Sequence, residues 1–147
     1  MNIQFINHNK TIFTLILLFS FLSPVYAEQV NLKIISYIES HNNPMAYNRH
    51  SQARGQYQIM PILLKEYNNF NKTNYTLRDL FNAKINEHIA YWYLEKRIPQ
   101  LLRHYKKEIT IDNILICYNA GIGNLLKGNI PIETKNYIKK YKQLSKK

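Results

Sequence analysis

Residues 34–61 read IISYIESHNNPMAYNRHSQARGQYQIMP, and one carboxylate, Glu39, stands in that stretch. The next acid along the chain is Glu66, so the loop that follows Glu39 supplies no second carboxylate. Glu39 ends an apolar run that stops at the Asn42-Asn43-Pro44 break. A carboxyl in the last turn of a helix feels the negative end of the helix dipole, which disfavours its ionised form. Partial burial pushes in the same direction. A carboxyl that keeps its proton near neutral pH can act as a general acid, the chemistry that protonates the leaving oxygen of a glycosidic bond. Taken alone, a glutamate at a helix end is more often a solvated surface group.

Other chemistries find less support. The five histidines, His8, His41, His50, His88 and His104, do not fall at metal-ligand spacing, and no HExxH is present, which argues against a zinc peptidase. No metal or cofactor is expected. The single cysteine, Cys117, excludes an internal disulfide, and its setting in IDNILICYNAG is that of a buried structural thiol rather than a nucleophile. Tyr91, Trp92 and Tyr93 lie beside basic residues, as in surfaces that stack single-stranded nucleic acid. At helical spacing they read instead as core, and no nucleic-acid partner is expected.

The elements that must position Glu39 are helical. Val30, Ile34 and Ile38, with Ile35, give the first helix its apolar face. It should stop by Asn42 or Asn43, because Pro44 disfavours helical geometry in the residue before it. MPILLKEYNNF reads as a short helix started by Pro61, and LRDLFN as a further turn. INEHIAYWYLEKRI is a longer helix with Ile89, Trp92, Tyr93 and Lys96 along its seam, which Pro99 should kink or end. Thr110 is placed to cap a helix that buries Ile111, Ile114, Leu115 and Tyr118, with Gly121 as its stop. A last helix after Pro131 turns Tyr137, Ile138, Tyr141 and Leu144 inward. No alternating strand pattern stands out. The expected fold is mainly α, one domain with little or no β.

The N-terminus reads differently. MNIQFINHNK is polar with one cation, TIFTLILLFSFL is a short apolar run, and SPVYA places Val25 and Ala27 where a signal peptidase reads small residues. Residues 1–27 are therefore expected to be a cleaved signal peptide, with 28–147 as the mature domain in the periplasm or outside the cell. A run this short falls below the roughly 20 apolar residues of a membrane span, so no stable anchor is expected after cleavage. Removing residues 1–27 takes only Lys10 from the net charge of +11 and leaves +10. Such a surface suits an anionic partner: nucleic acid, an acidic membrane face or a bacterial cell wall.

Five segments then fall in order: ESHNNP, ARGQYQIMP, LFNAKINEHIAYWYL, CYNAGIG and IPIETKNYI. Together they resemble the soluble lytic transglycosylases, peptidoglycan-cleaving enzymes of the lysozyme-like superfamily. The likeness runs from about Ile34 to about Tyr141. It implies a lysozyme-like fold and cleavage of the β-1,4 bond between N-acetylmuramic acid and N-acetylglucosamine, leaving 1,6-anhydromuramoyl ends. It implies that Glu39 is the sole catalytic acid and base, and that Gln58 and Met60 line the sugar groove. It further implies that Tyr118 lies close to Glu39, that Asn119 belongs to the same turn, and that Glu133 faces the substrate cleft. Asn86, Tyr93 and Leu94 match a segment with a mostly structural role.

The chain departs from the family where Gln52 replaces a Gly and where Gly55-Gln56-Tyr57 replaces Gly-Leu-Met. Asn48 and Ser51 compete for the place of a family Ser. The partners implied are peptidoglycan glycan strands, with a secretion system or other wall-spanning assembly as a further candidate. Two other readings compete: a goose-type lysozyme-like hydrolase, and a non-catalytic wall-binding module of the same fold.

Overall fold

The computed structural model describes residues 29–146. The expected signal peptide lies outside the described residues. Helix α1 (Leu32–Ser40) starts two residues after Val30, because the Asn31 side chain accepts hydrogen bonds from the Lys33 and Ile34 amides at 3.1 and 3.4 Å. It ends on His41, whose φ of 54° is left-handed and lets its amide reach the Tyr37 carbonyl at 3.0 Å. The chain therefore turns away one residue after Ser40, and Glu39 sits at the very end of the helix.

Helix α2 (Pro61–Asn71) begins on Pro61 as expected, since a first-turn proline gives up an amide that has no partner there. A 3₁₀ turn (Asp79–Phe81) leads into α3 (Ala83–Trp92), capped by Asn82, and α3 runs through a π turn (Tyr93–Arg97) into α4 (Ile98–His104). Pro99 does not end the helix. The wide π turn just before it accommodates the residue that an ideal α-helix would reject. The same turn shifts the register, so that Leu94 and Ile98 are fully buried and Lys96, expected on the apolar seam, is exposed.

Helix α5 (Ile111–Ala120) is capped by the Thr110 hydroxyl, which accepts from the Asn113 amide at 3.2 Å. Gly121 stops it at φ 82°, but only for one residue. A short helix α6 (Ile122–Lys127) follows directly, and α7 (Ile132–Leu144) closes the fold. Helix α5 touches α4, α6, α7 and the π turn, and α7 packs on α1. The core is one cluster in which Ile35, Leu80, Ile89, Leu94, Ile98, Leu102 and Leu115 are fully buried. Burying a side chain of this size is worth about 1.5–3 kcal/mol.

The region between α1 and α2 carries the β character of the domain. Tyr47 pairs with Arg54, and Arg54 with Ile59, as isolated antiparallel bridges. The Arg54 and Ile59 amides each donate to the other's carbonyl at 3.0 Å, closing the hairpin that contains Gly55 to Gln58. The fold is mainly α with little β, as the sequence patterns imply.

Candidate active site

The end of α1, the hairpin, the start of α2 and the end of α5 surround a cleft of about 400 Å³. Glu39 lies in it with Gln58, Met60, Tyr118 and Asn119, so all but one of the candidate site residues meet in a single place. Glu133 is the exception. It is exposed on the first turn of α7 and does not line the cleft, although its charge reaches Glu39. Asn48 and Ser51 both line the cleft, so both candidates for the family Ser face the same space.

The environment of Glu39 is what a general acid needs. Its carboxyl is half-buried, and desolvation is the largest influence on it, pushing its pKa up from 4.5 to about 7. The Tyr137 hydroxyl that faces it and the Lys140 charge act to lower it, while the Glu133 charge acts to raise it. The Tyr137 hydroxyl is buried without a closed hydrogen bond, and Glu39 is the acceptor it faces. Tyr118 also feels the Glu39 charge, and burial with that charge holds its phenol far above the usual range. Two neutral phenols therefore flank the acid.

The hairpin beside Glu39 is held by buried polar contacts. Asn86, completely buried, donates from Nδ2 to the Arg54 and Leu80 carbonyls, both at 2.9 Å. Its Oδ1 accepts from the Tyr57 amide at 2.8 Å. Gly55 makes this possible: at φ 77° a Cβ there would lie 2.3 Å from Asn86 Nδ2 and 2.3 Å from the Leu80 oxygen. The Tyr118 hydroxyl donates to the Tyr57 carbonyl at 2.7 Å, tying α5 to the same turn. Ser40, next to Glu39, donates to the Gln56 carbonyl at 2.8 Å and accepts from the Asn43 amide at 3.1 Å, tying the end of α1 to it as well.

Left-handed backbone concentrates here. Gln58 has φ 49°, with its amide Nε2 donating to the Gly55 carbonyl at 3.0 Å. Gln52, where the family has glycine, has φ 58°, a conformation that favours the residue it lacks. Strain of this kind gathers at functional sites.

Tyr93, in a segment expected to be mostly structural, also lines the cleft. Ser40 in ESHNNP and Tyr137 in IPIETKNYI also stand beside Glu39, and no spacing in the sequence marks them as site residues. Thr134 is likewise unmarked in the sequence. It is buried beside Glu133, and its hydroxyl donates to Asn119 Oδ1 at 2.7 Å, joining the turn after α5 to the start of α7. Cys117 is buried in the cleft wall and its thiol is pushed up to about 11, which keeps it protonated and non-nucleophilic. Among the described residues no group of three or more His, Cys, Asp or Glu side chains could hold a metal ion.

Glu39 thus stands at a helix end in a cleft walled by a strained hairpin and by Tyr118, within a small α-helical domain. A family model described as a transglycosylase SLT domain matches residues 25–141, and the chain belongs to that family. Comparison with curated proteins and with solved structures found no match.

Proposed function

We propose that this protein is a peptidoglycan lytic transglycosylase in which Glu39 performs both proton transfers. The observation that carries the reading is that Glu39 is the one carboxylate among the cleft-lining residues, and that its surroundings hold its pKa at about 7. Most glycosidases place two carboxyl groups about the scissile bond, one to protonate the leaving oxygen and one to attack or to activate water. Here the second group is missing from the cleft. Glu66, the next acid along the chain, is paired with Arg97 at 2.6 Å.

One carboxyl suffices if the substrate supplies the rest. Glu39 donates its proton to the glycosidic oxygen as the bond to the muramoyl C1 breaks. The N-acetyl carbonyl oxygen of that muramoyl sugar bonds to C1 and holds the positive charge as an oxazolinium ring. Glu39, now a carboxylate, takes the proton from the C6 hydroxyl. The C6 oxygen attacks C1, the N-acetyl bond to C1 breaks, and a 1,6-anhydro ring closes without water. A pKa near 7 suits both halves, since the acid must give up a proton and then recover one at the same pH.

Gln58, Met60, Tyr118 and Asn119 are assigned to holding the sugars, and Glu133 to the approach to the cleft. The export reading accompanies this one: with residues 1–27 removed, the enzyme meets the wall outside the cytoplasm. Digestion of purified sacculi tests the reaction. Muropeptides ending in 1,6-anhydromuramic acid are the expected products, whereas products one water heavier with a reducible end would make this a hydrolase.

A further inference from the structure

Positive charge collects at the end of the domain remote from Glu39. Helices α1 and α7 run in opposite directions: the Asn31 amide donates to the Tyr141 hydroxyl at 2.8 Å, whereas Glu39 faces Tyr137 and feels Glu133. The last turn of α7 therefore lies at the start of α1, about 12 Å of helix away from Glu39. Lys135, Lys139 and Lys142 are exposed on α7 and fall within about 60° of arc. Lys146, also exposed, follows in the turn beyond the helix. Tyr137 and Tyr141 occupy the buried face, so the lysine row looks outward.

Lys142 Nζ meets Asp112 Oδ2 at 2.7 Å, which brings the end of this row to the loop between α4 and α5. Lys106 and Lys107 are exposed in that loop, together with two apolar side chains, Tyr105 at 44% and Ile109 at 36%. The His104 ring packs edge-on against Tyr105 at 4.8 Å. Three acids share this end. Asp112 is taken by Lys142, Glu95 accepts from the Val30 amide at 3.1 Å, and Glu108 is exposed. Among the described residues Lys106, Lys107, Lys139 and Lys146 form no ion pair, and none of them lines the cleft.

We infer that this end of the domain docks on the surface of an anionic phospholipid membrane, with the lysines among the headgroups and Tyr105 and Ile109 at the apolar boundary. Three observations select that occupant over a soluble polyanion. Lysine stems and tyrosine rings each join an apolar body to a polar tip, which suits the headgroup zone, and a soluble polyanion gives Ile109 nothing to bury against. The chain also enters the fold here: Val30 and Asn31 bond to Glu95 and Tyr141, one residue from Lys142, and the expected first mature residue, Glu28, precedes Val30 by two. A chain released at that point starts with this end against the membrane it has crossed. Finally, Glu39 lies at the opposite end of α1, so docking leaves the cleft turned away from lipid. Among the described residues no helix is long and apolar enough to cross a membrane, so the contact is peripheral. The inference rests on the export reading and not on the chemistry of the cleft.

The probe is a vesicle. The mature protein, beginning at Glu28, is sedimented with vesicles of phosphatidylcholine alone and of equal parts phosphatidylcholine and phosphatidylglycerol, at low and high salt. It should bind the anionic vesicles only, and raising the salt should release it. Each lysine near an anionic surface is worth about fivefold in partitioning, so Lys106→Gln, Lys107→Gln and Lys146→Gln together should lower binding about 100-fold. Tyr105→Ser with Ile109→Ser should weaken vesicle binding but leave binding to soluble polyphosphate unchanged. All five positions are exposed, and the Lys142–Asp112 pair stays intact. Equal binding to both vesicles, or binding to the anionic ones that survives the triple lysine change, overturns the assignment. So does binding to polyphosphate without binding to vesicles, which would make the lysine row a site for a linear polyanion. Export is read separately by N-terminal sequencing, so a chain that keeps Met1 fails that reading without touching the vesicle result.

Discussion

Replacing Glu39 by Gln should make the protein more stable at neutral and alkaline pH, and not at acid pH. The sign follows from where the proton is held. An unfolded glutamate releases its proton near 4.5, whereas the folded one keeps it until about 7. Between those values the native state binds more protons than the unfolded state, so stability falls as pH rises through that window and levels off above it. Each pKa unit is worth 1.36 kcal/mol, which for this shift gives an upper figure of about 3 kcal/mol. Glu39 is open to the cleft on one side, and screening by water there brings the expected cost of its ionised form to about 1–2 kcal/mol. An amide of the same shape carries no charge and escapes that cost.

The assay is thermal or urea unfolding of both proteins at pH 4.5 and pH 8. At pH 8 the Glu39→Gln protein should gain about 1–2 kcal/mol, a rise of roughly 4–8 °C in Tm for a domain of this size. At pH 4.5, where the folded wild type keeps the proton and half of the unfolded chains still hold theirs, the two proteins should agree to within about 0.5 kcal/mol. A gain that is the same at both pH values would refute the reasoning, because it would have to come from packing rather than from a buried charge.

The orphaned hydroxyl of Tyr137 leads to a second test: Tyr137→Phe removes the donor that favours the Glu39 carboxylate. A hydrogen bond to a charged group is worth about 1.5–3 kcal/mol, so the alkaline limb of the pH–rate profile should move up by about one to two pH units, and an unmoved limb means that Tyr137 does not contact the acid. Asn86→Ala strips partners from the Arg54 and Leu80 carbonyls and the Tyr57 amide at once. It should cost about 2–4 kcal/mol in chemical denaturation, and a loss below about 1 kcal/mol would show that water replaces all three bonds. N-terminal sequencing of the exported protein should begin at Glu28; an intact Met1 in the membrane fraction would mean that residues 1–27 stay attached.

Much of the architecture was legible because it rests on local rules. Asn42-Asn43-Pro44 marks the end of α1, Pro61 the start of α2 and Thr110 the start of α5, each from the chemistry of one or two residues. The π turn was not legible. Nothing in YLEKR departs from helical composition, and the register shift that buries Leu94 and exposes Lys96 is a tertiary outcome of fitting Pro99 into a continuous helix. Helix α6 was hidden by Gly121, which reads as a stop whether or not a new helix begins at the next residue.

The site divides in the same way. Glu39 stood out by its isolation, and Gln58, Met60, Tyr118 and Asn119 came with the motifs around them. The network behind them came only with the coordinates. Asn86 reaches the hairpin from 32 positions away, and Tyr118 reaches the Tyr57 carbonyl from 61. Such contacts leave no trace in spacing. Tyr137 is a similar case, since its periodicity announces burial and says nothing about which polar group its hydroxyl will face.

The central claim is that one carboxyl carries both proton transfers, and cleavage of sacculi by Glu39→Gln tests it most directly. The amide can neither protonate the leaving oxygen nor take the proton from the C6 hydroxyl. A positioned proton transfer contributes about 10²–10⁴-fold to rate, and both transfers fail together here. The folded variant should bind sacculi as the wild type does and release anhydromuropeptides only at background level. Substantial release of anhydromuropeptides by a folded Glu39→Gln protein would contradict the account, because another group would then be moving the proton.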